Sequence, residues 1–138
     1  MANFIYKKAK EAILNGEINF SSNSFKALLV DINAYTVSES THQFVSDVAA
    51  ESIMKRSNNL SLVTNTLGVI DADDLIISDY TGEAFGAIIL YQVGYSDSVS
   101  RLIFYIDSSS GLPFSGSSNN TPVTIFWDKT SINKILSI

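Results

Sequence analysis

The chain has no cysteine, a single histidine, two prolines and few charges, with 17% Asp, Glu, Lys and Arg together. Without cysteine there is no disulfide scaffold, no thiolate metal site and no cysteine nucleophile. Seven glycines and two prolines exclude a collagen-like repeat. Nine basic residues against fourteen acidic ones leave a net charge of −5, which runs against the phosphate-neutralising surface of a nucleic-acid binder. Apolar runs are short: none approaches the roughly 20 residues needed to span a bilayer, and the N-terminus lacks a signal-peptide core. The expectation is a soluble protein with no nucleic-acid or membrane partner.

Hydrophobic residues make up 46% of 138 positions and aromatics 11%, ample for a core without staples. The polar share is mostly uncharged: 21 Ser, 8 Thr and 11 Asn. Disordered chains combine low hydrophobicity with few aromatics. Here the aromatics sit inside apolar runs, so Ser and Asn are expected in turns and on outward strand faces.

Residues 3–15 read as one amphipathic helix, with Ile5, Ala9, Ala12 and Ile13 on one face and Lys7 spaced to pair with Glu11. Asn15-Gly16 supplies its stop. Strand patterning follows at 25–31, 52–57, 60–65, 75–78, 84–93, 101–107, 122–127 and 134–138. A helical turn capped by Thr41 is expected within 32–51. Residues 94–98 read as a hairpin connection and 108–120 as a long Ser/Gly/Asn loop. Along 101–107, alternation places Leu102, Phe104 and Ile106 on one face and Ile103 and Tyr105 on the other. The short connections favour antiparallel pairing. The reading is a mainly β (α+β) fold, an antiparallel β-sandwich or partly closed barrel with one N-terminal helix. It forms a single domain over 1–138, with the helix at 3–15 and the β-domain at 25–138.

Residues able to carry chemistry are sparse. His42, beside Ser40 and Thr41 and near Asp47, is the one imidazole, and sequence neighbours on a loop are weak grounds for a nucleophile–base pair. Asp71, Asp73 and Asp74 have the hard oxygens a divalent cation favours but lack the rest of a calcium loop, so an acidic turn is the plainer reading. Asp31, Asp79, Glu83, Asp107 and Asp128 fall at strand ends, where acids commonly flank turns. Tyr91, Tyr95, Phe104, Tyr105, Phe126 and Trp127 could form a sugar platform, though apolar strand residues usually serve packing or an interface. No phosphate-binding glycine motif and no nucleophile elbow occurs. No catalytic, cofactor-binding or metal-binding residue is therefore assigned, and the protein is not expected to be an enzyme.

Several segments in order resemble a family of small virion structural proteins encoded by tailed bacteriophages. They are residues 4–20 (from Phe4-Ile5-Tyr6 to Ile18-Asn19-Phe20), 25–31 (FKALLVD), Ala34-Tyr35-Thr36, 41–47 (THQFVSD), Asp71-Ala72-Asp73-Asp74, 87–91 (AIILY), Ser100-Arg101-Leu102-Ile103, Tyr105-Ile106-Asp107, Gly111-Leu112-Pro113 and 123–128 (VTIFWD). The similarity covers nearly the whole chain. It departs between Ala49 and Leu67, where Ala49-Ala50-Glu51 and Asn58-Asn59 replace a Pro-Gly turn and a Gly-rich hairpin. The resemblance implies a structural component of the phage particle. Acidity favours the outer surface, away from packaged DNA. The leading expectation is a capsid decoration (cement) protein that bridges major capsid subunits. The alternative is a tail or fibre component touching host glycans through loops 94–98 and 108–120. Apolar residues on both faces of 87–91 and 101–106 imply a neighbouring copy, and a homotrimer is expected.

Overall fold

A computed structural model describes residues 3–20, 22–61, 63–66, 69–77, 80, 84–108, 112, 123–125 and 136–137. Its elements are β1 (Phe4–Ile5), α1 (Lys7–Leu14), β2 (Phe25–Val30), β3 (Ile53–Arg56), β4 (Thr64–Thr66), β5 (Val69–Asp71), β6 (Leu75–Ile77), β7 (Ala87–Gln92), β8 (Arg101–Ile106), β9 (Val123–Ile125) and β10 (Leu136–Ser137). The fold is mainly β with one helix, as the strand patterning predicts. Every strand pairing among the described residues is antiparallel. A five-stranded sheet runs β1-β8-β7-β2-β3, with a three-stranded sheet β10-β5-β4 and a pair β6-β9.

The apolar runs of β2, β7 and β8 form the middle of the main sheet and are buried on both faces. On one face Leu28, Val30, Ala87, Ile89 and Tyr91 pack with Tyr6, Ala9 and Ala12 of the N-terminal segment and with Tyr35, Val45 and Val48. On the other, Ala27, Leu29, Ile88 and Leu90 pack with Ile70, Leu75, Ile77, Tyr80, Phe85 and Ile125. The chain thus covers both faces of its own sheet, one with the helix and the 35–48 segment, the other with the small strands. Two-sided apolarity therefore needs no second copy. The sequence argument overlooked that the short strands could form the second cover.

Three local details differ from the sequence reading. Phe4 and Ile5 are not helical but form an edge strand against Tyr105 and Phe104, so the helix starts at Lys7. Glu11 pairs with Lys8 at 3.6 Å, one turn position from the Lys7 expected. The turn expected after Thr41 is a 3-10 turn at Val45–Asp47. Asp47, rather than Thr41, stabilises it, accepting the backbone N–H groups of Gln43 and Phe44 at 2.8 and 2.9 Å.

The helix stop is as predicted. Gly16 takes φ +76°, and Glu17 N–H donates to Ala12 while Gly16 N–H donates to Ile13, closing the helix end in a Schellman pattern. A register shift between Leu90 and Tyr91 pairs Leu90 with Phe104 but Tyr91 with Leu102, leaving Ile103 as an extra residue. Such a bulge breaks the period of two. Leu102 accordingly joins Ile103 and Tyr105 in one core instead of Phe104 and Ile106.

Candidate functional site

His42 is built into a hydrogen-bonded column. Its Nδ1 lies 2.7 Å from the Tyr35 hydroxyl and 3.3 Å from the Ser38 N–H, and the Tyr35 hydroxyl lies 3.2 Å from that of Tyr6. A backbone N–H can only donate, so Nδ1 accepts; Tyr35 then donates to Nδ1 and accepts from Tyr6. The imidazole stacks on the Tyr35 ring at 5.4 Å between centroids. Tyr6 is fully buried and Tyr35 nearly so. Burial raises both phenol pKa values, that of Tyr35 to about 12, so both stay protonated. The column supplies partners for two buried hydroxyls that would otherwise be costly. The nearby Ser38 hydroxyl is bonded to Thr41 Oγ1 at 2.6 Å. Asp47 is engaged by backbone donors. Partial burial opposes its ionisation, but those N–H groups and the nearby His42 outweigh it and hold its carboxyl below the ordinary value.

Asp71 ends β5 opposite Thr64, and Asp73 donates its backbone N–H to Ser61 in the turn that follows. Among the described residues no three His, Asp or Glu side chains gather closely enough to hold a metal ion. Asp31 closes a local turn through Asn33 N–H. Asp107 accepts from the Ser108 hydroxyl at the far end of β8. Asp79, Glu83 and Asp128 lie outside the described residues, as do Phe126, Trp127 and nearly all of the 108–120 loop. Of the proposed aromatic platform, Tyr91 and Tyr105 are buried in the core and Phe104 is half-buried. Of its described members only Tyr95 stands in solvent, 92% exposed.

Around Tyr95 the structure assembles a surface that sequence patterning did not reveal. The β7–β8 connection is tightly held: Gly94 N–H donates to Ser100 Oγ (2.9 Å), whose hydroxyl donates to the Ser96 carbonyl (2.8 Å). Val99 N–H donates to the same carbonyl. A Cβ at position 94 would stand 2.8 Å from the Val99 carbonyl oxygen, so only glycine fits there. Asp97 is fastened twice. Its carbonyl accepts Ser46 N–H, and its carboxylate takes both nitrogens of the Arg56 guanidinium at 2.7 Å. The hydrogen bonds from Arg56 hold the Asp97 carboxyl below its ordinary value. Reciprocally, the bond to Asp97 raises the Arg56 pKa, so the pair stays ionised.

Beside this loop runs an open groove of about 440 Å³, lined by Val45, Ser46, Val48, Ala49, Ala50 and Ile53 with Arg56 and Asp97. Its lining mixes small apolar side chains with Ser46 and the Arg56–Asp97 ion pair. A second, fully apolar gap among Phe20, Phe25, Leu60, Leu90 and Phe104 has only about 20 Å³, room for one water and no ligand. Sequence analysis named loop 94–98 but missed the groove, because residues 45–56 and Asp97 meet only through tertiary pairing. The signal within reach was the Gly-Tyr-Ser-Asp-Ser run, whose aromatic has no alternating partner. The arrangement can bind by shape, with the Asp97 carboxylate held in its ion pair with Arg56. Among the described residues no helix is long and apolar enough to cross a membrane. No protein-family model and no curated protein matches the sequence.

Proposed function

We propose that the protein is a structural component of a tailed-phage virion, most specifically a capsid decoration protein on the outer shell that bridges major capsid subunits. It acts as a homotrimer, without catalysis or cofactor. The virion assignment rests on the resemblance across nearly the whole chain. The single observation that carries a contact role is the pinned loop holding Tyr95 in solvent beside a charge-neutral groove. Preorganised, electrically quiet surfaces suit lateral packing of many copies, because little ordering is left to lose on docking. The trimer rests on the usual closed symmetry of such assemblies and on threefold positions as docking points of an icosahedral shell.

Copy number in purified virions tests the reading. Hundreds of copies support decoration; a dozen or fewer support the tail or fibre alternative and overturn the shell role. Particles assembled without the protein should lose resistance to heat and osmotic shock. Glycan or peptide hydrolysis that vanishes in His42→Ala would overturn the non-catalytic assignment.

A further inference from the structure

We propose that Asn15 is a site of spontaneous deamidation, at which the chain modifies itself at a rate set by opening of the last turn of α1, and that the product weakens that helix end. The inference stands apart from the virion reading and rests on the helix cap. Asn15-Gly16 is the only Asn-Gly pair in the chain. Both residues are exposed, and a Cβ added at Gly16 would meet nothing within 4 Å. With no side chain on Gly16, its backbone nitrogen is open to the neighbouring amide carbon and free to turn toward it. The reaction is intramolecular, which favours it strongly once the geometry is reached. The Gly16 nitrogen attacks Asn15 Cγ and gives its proton to solvent, and the Cγ–Nδ2 bond breaks with loss of ammonia. Water then opens the five-membered imide at either carbonyl, leaving an aspartyl or isoaspartyl residue at position 15. Overall, a water enters and an ammonia leaves.

The folded cap holds this attack off. Asn15 takes φ −84° and ψ −1°, so the Gly16 nitrogen lies on the side of Asn15's own nitrogen, turned away from its side chain. The backbone N–H groups of Asn15, Gly16 and Glu17 donate to the carbonyls of Glu11, Ile13 and Ala12 at 2.9, 3.1 and 2.8 Å. Attack requires ψ of Asn15 to swing round and the bonds beyond it to break. Leu14, the last helical residue, is 87% exposed, so backbone bonds rather than side-chain burial hold it in place. Helix ends of this kind open far more often than a whole domain unfolds. The product is a worse cap. It adds a negative charge at the negative end of the helix dipole. That charge falls beside Glu17, whose carboxylate lies 3.5 Å from the Asn15 amide nitrogen. The isoaspartyl form also lengthens the main chain by a methylene, which displaces the Gly16 and Glu17 donors from their carbonyls. Glu17 holds Arg101 at 2.6 Å, so the disturbance reaches the start of β8.

Incubation of the purified full chain at physiological temperature and mildly alkaline pH tests this, with peptide mapping by mass spectrometry and enzymatic methylation of isoaspartate. In denaturing guanidinium, position 15 should convert before every other asparagine. In native buffer it should convert more slowly, by roughly tenfold or more. Through low guanidinium the native rate should stay nearly flat, because opening one turn exposes little surface. Leu14→Gly should speed native conversion roughly two- to fivefold over Leu14→Ala, since glycine loosens the exposed last turn without touching the core. Asn15→Asp, which supplies the charge alone, should melt about 1–4 °C below the wild type. Another asparagine converting first in the unfolded chain, or a native chain in which position 15 never converts, overturns the site. Equal native and unfolded rates, a native rate that climbs steeply from the lowest denaturant, or no difference between the two Leu14 variants overturns control by the cap. An Asn15→Asp chain as stable as the wild type overturns the weakened helix end.

Discussion

At the scale of single residues, polar side chains inside the fold satisfy one another. The Tyr6–Tyr35–His42 column predicts coupled stability effects. Tyr35→Phe and His42→Ala should each cost about 1 kcal/mol, and the double variant clearly less than the sum, because both remove the same bond. Chemical denaturation of the four proteins checks this. Acid sensitivity should follow Asp47 and Asp97, whose carboxyls are both held below the ordinary value of 3.8. A depressed folded pKa contributes stability that is complete above the unfolded value and is lost as pH falls through the folded one. Stability should therefore be flat above about pH 5 and fall below about pH 4, less steeply in Asp97→Asn. The pair's two side chains are 40% and 45% exposed, so the expected loss at neutral pH is small, about 0.2–1 kcal/mol. Melting curves across pH measure both quantities.

At the scale of elements, the N-terminal segment is part of the core. Tyr6, Ala9 and Ala12 are buried, β1 pairs with β8, and Asn3 accepts the N–H groups of Asp107 and Ser108 through its side chain. Deleting residues 2–15 should therefore prevent stable folding of the β-region, seen as loss of a cooperative thermal transition. Leu102→Ala, at a fully buried bulge position, should cost about 2–5 kcal/mol. Much of this level was legible in the sequence. Residues 25–30, 87–92 and 101–106 are long enough to show their apolar character, and Gly16 marks the helix end through its backbone freedom. What escaped has physical causes. A two-residue strand such as Phe4–Ile5 has no period to detect, and a bulge destroys the period it interrupts. The Val45–Asp47 turn is capped from its far end by Asp47, so a search for an N-cap residue settles on Thr41. Of the contact surface, only the loop could be read. The groove is assembled from residues 41 to 52 positions apart, and nothing in either segment refers to the other.

At the scale of the whole molecule, the main sheet is covered on both faces by the chain's own segments. For the proposed homotrimer, net charge −5 predicts association that strengthens with ionic strength, as screening reduces repulsion between acidic copies. Sedimentation in low and high salt checks this, and weakening by salt would point to an ion-paired contact instead. The strand order has a further consequence, for biosynthesis. Phe4 pairs with Tyr105 and Phe25 with Gln92, so β1 and the inner edge of β2 find these partners only after roughly 65 to 100 further residues have been added, although β2 can pair with β3 sooner. Until β7 and β8 emerge, the main sheet is at most the β2–β3 pair and the helix face lacks its centre. Completion of the main sheet thus waits until most of the chain has been made, and distant pairings of this kind fold slowly. A polypeptide made in bulk would spend that interval with its most apolar strands uncovered, so chaperone supply and growth temperature should govern its soluble yield.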